Sequence, residues 1–341
     1  AVDAVPDDVV WHDVRDWGVE GRGFDDTESY FDRLPSRAKD VVRKEVWNLS
    51  RDSSGMSADF EADADAIYVR YELNRPRIAM PHMPATGVSG VDLYGRMSDR
   101  WRWLQVTRPE TVNVTAPLVT RLAPGRRAYR AYLPLYNGVK SFEIGVPKGA
   151  TLSPIAPRND KPICFYGTSI THGACASRPG MSFVNLLGRR LNRSMLNFGF
   201  SGNGRMELEV GRFLAELDPA VYVIDCVANT PPEQITQRTG PLVKLLRNVH
   251  PSTPILLLEQ RAWANHPLVP HQAQSHAEKC AALRAAFDAL IAQGVTNLHY
   301  RTGGDELIGA DGEGTTDGSH PNDLGMMRYA DALEPSLRAL L

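Results

Sequence analysis

The stretch after Pro157 constrains the fold most, because short apolar runs and longer helical stretches alternate there in a regular order. Strands are expected over Ile163 to Tyr166, Met195 to Phe198, Val221 to Asp225, Ile255 to Glu259 and Leu298 to Tyr300. Helical periodicity covers 180–191, 205–217, 232–248 and 274–292, with a last helix at 322–340. Three of the strands are nearly continuous apolar runs, as a parallel sheet covered on both faces requires. The alternation predicts a doubly wound α/β/α sandwich, in which ligands bind beyond the carboxyl ends of the strands. The residues just after each strand are therefore where chemistry is expected.

Before residue 150 the pattern is different. Met56 to Ala62, Ala66 to Tyr71, Trp103 to Thr107, Thr111 to Val114, Arg127 to Leu133 and Ser141 to Val146 read as short strands separated by Gly, Pro, Asn and Asp. Such spacing predicts an all-β sandwich, jelly-roll-like. One short helix is expected over 36–48 with Ser36 as its N-cap. Pro147 to Asp160, with three prolines, reads as a linker. Two domains follow: a β-sandwich accessory domain at 1–150 and a catalytic domain at 151–341. With 43% hydrophobic residues in 341, each can bury a core.

Composition also narrows the partners. The formal net charge is -2, so no basic excess marks a nucleic-acid surface. No polybasic run marks a membrane surface, and no stretch approaches the roughly 18 apolar residues of a membrane span. The four cysteines, Cys164, Cys175, Cys226 and Cys280, lack metal-ligand spacing and read as plain thiols. The opening Ala1-Val2-Asp3-Ala4 is compatible with a processed end. A secreted or periplasmic protein is the expectation, with the cytoplasm left open; oligomeric state is not legible.

Four segments carry the candidate chemistry. Gly167-Thr168-Ser169-Ile170-Thr171-His172-Gly173 follows the first strand and puts Ser169 on a glycine-hinged turn. It departs from the Gly-x-Ser-x-Gly elbow at Thr171, and a Ser/Thr-rich helix start without chemistry fits it equally. Asn197-Phe198-Gly199-Phe200-Ser201-Gly202-Asn203-Gly204 follows the second strand, where the Gly202 N–H can face a developing oxyanion. A glycine-rich connection into a helix would look the same. Asp225-Cys226-Val227-Ala228-Asn229-Thr230-Pro231-Pro232 follows the third strand; the Asn229 amide can donate to the same oxyanion or cap the next helix. Asp317-Gly318-Ser319-His320 lies near the C-terminus, and its spacing lets a carboxylate orient an imidazole base. Asp305, Asp311 and Asp323 are competing carboxylates.

The order Ser, Gly, Asn, Asp-x-x-His resembles the SGNH hydrolases, also called GDSL-like esterases. Their four blocks match Ser169, Gly202, Asn229 and the Asp317–His320 pair, over roughly residues 160 to 341. The first block has Thr168 where aspartate is usual, and the third has Val227-Ala228-Asn229-Thr230 in place of Gly-x-Asn-Asp. Upstream, Gly90-Val91-Asp92-Leu93-Tyr94 is similar to the motif of the GxDLY domain that precedes some of these hydrolases. Those proteins look bacterial and often exported; their relatives include acetylesterases and an acyltransferase of natural-product synthesis. Some carbohydrate esterases also pair a β-sandwich with an SGNH domain.

The resemblance implies a serine esterase with Ser169 as nucleophile, His320 as base and Asp317 as its orienter. The backbone amides of Ser169 and Gly202 and the side chain of Asn229 would form the oxyanion hole. No metal or organic cofactor is implied. Small acyl esters, acetyl above all, on a carbohydrate or glycoside are the expected substrates. An acyltransferase with the same triad, or an inactive carbohydrate-binding protein, are the alternatives. Arg261, Trp263 and His266 follow the fourth strand and either line the pocket or form an ordinary surface loop. His266, His271 and His276 are spaced by five, which does not suit a metal pair on one helix face. Trp47, Trp101 and Trp103 can stack on sugars, but core packing is the favoured reading for such aromatics.

Overall fold

Interleaved stretches of chain build two units in the computed structural model, which describes residues 4–341. The opening Ala1-Val2-Asp3 lies outside the described residues. One unit takes the chain up to Arg33, Arg51–Asn159 and Ser177–Gly180; the other takes Leu34–Ser50, Asp160–Ala176 and Met181–Leu341. The expected helix over 36–48 is two pieces. Ser36–Ala38 is a 3₁₀ turn behind Pro35, so Ser36 is not an N-cap, and helix α1 begins only at Lys44–Ser50. Asp40 between them has a φ of 65°, a left-handed conformation that no helix continues through.

The first unit is a β-sandwich. One antiparallel sheet holds β1 (Val9–Asp13), β8 (Val139–Pro147), β3 (Ile67–Leu73) and β6 (Asn113–Val119) in that order. The other runs β5 (Arg100–Val106), β4 (Asp92–Met97), β7 (Arg127–Tyr132), β2 (Ser57–Asp63) and β9 (Thr151–Ile155), with one helical turn, α2 (Ala85–Val88), outside it. The alternation read in Met56 to Ala62 is real: Met56, Ala58, Phe60 and Ala62 are buried in the core with Val69, Tyr71, Leu93, Ala131 and Ile144.

Two sequence expectations need correction here. The supposed linker Pro147 to Asp160 contains β9, which pairs with β2 and sets Pro154 opposite Phe60. Being an edge strand, it tolerates a proline that donates no hydrogen bond. Trp103 is not core: it is 41% exposed, and its indole N–H donates to Asp92 Oδ1 at 2.7 Å.

The Gly90–Tyr94 motif has a definite job within this unit. Val91 and Leu93 point into the core, and Asp92 is fully buried. Asp92 Oδ2 accepts from Arg178 at 2.9 Å and from the Gly180 N–H at 2.7 Å, while the Tyr94 hydroxyl accepts from Arg178. The motif thus fastens the short segment Ser177–Gly180 to the sandwich.

The second unit is a five-stranded parallel sheet in the order β11 (Met195–Gly199), β10 (Ile163–Gly167), β12 (Val221–Asp225), β13 (Ile255–Leu258), β14 (Leu298–Arg301). The first four are buried along their whole length, as the apolar runs required. Its helices are α3 (Ser169–His172), α4 (Phe183–Leu191), α5 (Leu208–Leu214), α6 (Pro232–Val249), α7 (Pro270–Ala292), α8 (Asp305–Ile308) and α9 (Asp323–Leu340). No helix among the described residues is long and apolar enough to cross a membrane. From β10 the chain first adds β11 on one side, then crosses back to add β12 on the other. The strand order reverses at β10, and the crevice at such a switch point is where open α/β sheets bind ligands.

Candidate active site

Ser169 stands at that switch point. β10 ends at Gly167, Thr168 caps the turn by accepting the Ile170 N–H, and Ser169 is the first residue of α3. A side chain at Gly167 would collide with the Thr171 hydroxyl, so only glycine lets α3 turn this tightly off the strand. Two partners hold α3 from below. Thr171 Oγ1 donates to Asp225 Oδ2 at 2.7 Å, and Asn197 Nδ2 donates to the Thr171 carbonyl at 2.7 Å. Asp225 closes β12 and is buried; burial pushes its carboxyl up to about 7, against the pull of Thr171 and of the Arg261 charge.

His320 comes to Ser169 from the loop before α9. Ser169 Oγ lies 2.9 Å from His320 Nε2, and His320 Nδ1 lies 2.7 Å from Asp317 Oδ2. With Nδ1 donating to the carboxylate, Nε2 is left as the acceptor facing the serine hydroxyl. Burial acts to raise the Asp317 carboxyl, but hydrogen bonds from His320 and Ser319 outweigh it and hold the group below its usual value. The competing carboxylates are elsewhere: Asp311 pairs with Arg328, Asp305 opens α8 and Asp323 opens α9.

The two oxyanion candidates sit on the loops flanking β10. Gly202 has a φ of +70°, which explains the glycine, and its carbonyl accepts from Arg205, at 3.2 Å from Nε and 3.1 Å from Nη2. The same loop is braced by Arg43, which donates to Asn203 Oδ1 at 2.7 Å and pairs with Glu207 at 2.5 Å. Asn229 ends a 3₁₀ turn, Val227–Asn229, whose Ala228 carbonyl accepts from Lys279 Nζ at 3.0 Å. Burial, and then the charge of Arg261, lower the Lys279 ammonium from its ordinary value.

The other sequence candidates divide. Arg261 is buried at 3% exposure and donates to the Ser319 carbonyl at 2.9 Å and to the Ser319 hydroxyl. Trp263 is half-buried, its ring 4.8 Å from the Arg261 guanidinium carbon. His266 is fastened to its own turn, with Nδ1 2.8 Å from the Trp263 carbonyl. Trp47, on α1, is buried rather than open for stacking. Residue patterns did not single out Thr171, Asn197, Asp225, Lys279 or Arg43. Their roles depend on partners brought together only by the fold.

Comparison with known proteins shows the family and the fold. Residues 160–338 match the model of the GDSL-like lipase/acylhydrolase family, and residues 9–152 match that of the N-terminus of SGNH-hydrolase-type esterases. The chain is similar to a protein described as a GDSL-like lipase from Bacteroides ovatus, with 30% identity and a TM-score of 0.93 over 97% of this chain and 98% of that one. A salicylyl-acyltransferase from a tetracycline biosynthetic pathway shares the fold at 18% identity and TM-score 0.78, over 98% of each chain. So does a family two carbohydrate esterase from Cellvibrio japonicus, at 12% identity and TM-score 0.63, over 97% of this chain and 98% of that one. No curated protein matches the chain.

Proposed function

Because the chain belongs to the GDSL-like lipase/acylhydrolase family and is a carboxylic ester hydrolase, we propose that it cleaves small acyl esters through an acyl-Ser169 intermediate. The observation that carries this is the continuous line Ser169 Oγ to His320 Nε2 at 2.9 Å and His320 Nδ1 to Asp317 Oδ2 at 2.7 Å. Ser169 attacks the ester carbonyl while His320 takes its proton, and Asp317 stabilises the imidazolium that forms. The N–H groups of Ser169 and Gly202 and the Asn229 amide stabilise the oxyanion, each by roughly 3–4 kcal/mol in the transition state. His320 returns its proton to the leaving alcohol, and water then releases the acid with His320 again as base.

For the alcohol we propose a carbohydrate or glycoside, and for the acyl group acetyl. The support is the sandwich-plus-hydrolase build that the chain shares with the family two carbohydrate esterase. A panel of aryl esters of increasing chain length and of acetylated sugars tests both halves. Turnover should be highest for acetyl, acetylated sugars should be cleaved, and Ser169→Ala should lower every rate by about a thousandfold or more with the fold intact. A fully active Ser169→Ala protein would overturn the mechanism. Ester products appearing when acceptor alcohols are added would move the reading to acyl transfer.

A further inference from the structure

We propose that Arg261 is a positioning residue that fixes the peptide unit carrying His320, and is not a substrate ligand; this rests on the reading of Ser169 and His320 given above. The peptide between Ser319 and His320 is held at both ends. Its N–H donates to Asp317 Oδ1 at 2.8 Å, and its carbonyl accepts from Arg261 Nε at 2.9 Å. A second guanidinium nitrogen, Nη2, donates to the Ser319 hydroxyl, and one turn further on the Ala264 N–H donates to the Gly318 carbonyl at 2.9 Å. A peptide plane clamped from both sides leaves His320 little freedom to swing away from Ser169.

The cation suits this task, with Nε and Nη2 committed to Ser319 and Nη1 buried without a hydrogen-bond partner among the described residues. Arg261 is 3% exposed and covered on one face by Trp263. A planar fork reaches a carbonyl and a hydroxyl of one residue with two separate nitrogens in fixed geometry, whereas an ammonium must serve both from one atom. The charge also has an answer inside the unit. Asp225 and Asp317 both act on Arg261 electrostatically, and Asp225 in turn receives Thr171, two residues after the nucleophile.

The test compares the full chain with Arg261→Met, Arg261→Lys and Ser319→Ala, using an aryl acetate. Misplacing a reacting group by about 1 Å costs on the order of 100-fold, so Arg261→Met should lose about that much in kcat with KM little changed. Arg261→Lys should be intermediate, and Ser319→Ala the mildest, because the carbonyl bond survives. In a Ser169→Ala background, the downfield proton signal of His320 Nδ1–H should persist with Arg261 present and broaden or vanish in Arg261→Met. If Arg261→Met does not fold, the order Arg261→Lys worse than Ser319→Ala in kcat, with the signal weakened in the former, still decides for the proposal. Unchanged kcat and an unchanged signal in Arg261→Lys would overturn it, as would a loss confined to KM. A fully active Ser169→Ala protein would instead sink the catalytic reading, while the proton signal continues to judge Arg261.

Discussion

Asp317 grips His320 twice: Oδ1 accepts the backbone N–H at 2.8 Å, and Oδ2 meets ring Nδ1 at 2.7 Å. One carboxylate thus sets both the path of the loop and the tautomer of the ring. Asp317→Asn should keep the loop bond through its carbonyl oxygen but can present an N–H to Nδ1, which favours the wrong tautomer. We expect kcat to fall by about 10⁴-fold, as for other triads that lose only the tautomer-setting charge, with an unchanged melting profile. A loss of tenfold or less would show that His320 is oriented mainly by its backbone.

Asn229 is expected to act on the transition state alone. Its turn is tied down by Lys279 through the Ala228 carbonyl, while the Asn229 Oδ1 is buried without a hydrogen-bond partner among the described residues. Asn229→Ala should lower kcat by about a hundredfold or more and leave KM nearly constant. Steady-state kinetics on an aryl acetate read this directly; a raised KM at constant kcat would make Asn229 a ground-state binder.

The sequence exposed the five strands of the parallel sheet and the segments carrying Ser169 and Asp317–His320 because both are local signals. Apolar runs mark buried strands, and catalytic loops follow strand ends in any parallel sheet. It hid what depends on long-range packing. β9 reads as linker because three prolines crowd 147–160, and Pro154 is tolerated within it because β9 is an edge strand. Following a strand, Arg261 reads as either a pocket residue or part of a surface loop, and nothing local reveals that it turns inward to Ser319, 58 residues away. Trp103 reads as core because large aromatics usually are, but its indole N–H donates to buried Asp92 while its ring, 41% exposed, lies under the Arg178 guanidinium.

Asp225 should write itself into the pH dependence of stability. Its carboxyl titrates at 3.8 ordinarily and at about 7 in the fold, with burial as the main cause. The native state therefore holds a proton that the unfolded chain gives up. The stabilisation is complete below pH 3.8 and is lost as pH rises to about 7. The difference of about 3 units corresponds to on the order of 4 kcal/mol at most. Denaturant titrations of wild type and Asp225→Asn between pH 4 and 8 isolate this group. Wild type should lose stability relative to the variant as pH rises, and parallel profiles would show that Asp225 is ionised throughout.

The last expectation concerns Leu34–Ser50, which precedes most of the sandwich in sequence but belongs to the hydrolase unit. Leu34, Ala38, Val42, Val46 and Trp47 are buried along it. Arg37 pairs with Glu216 at 2.6 Å, and Arg43 spans Asn203 and Glu207 beside Gly202. A fragment of residues 151–341 loses all of this. Its hydrolase unit exposes the apolar bed of the missing segment, and its Gly202 loop loses the Arg43 brace. The fragment should be insoluble, or soluble with little activity even on small aryl acetates. Arg43→Ala in the full chain separates the two causes: it should stay folded and lower kcat about tenfold or more, because one oxyanion donor, worth 10²–10³ in kcat when removed outright, is loosened rather than lost. A soluble 151–341 fragment with full activity on small esters would show that the segment and its arginine are dispensable, and that the first 150 residues serve only larger substrates.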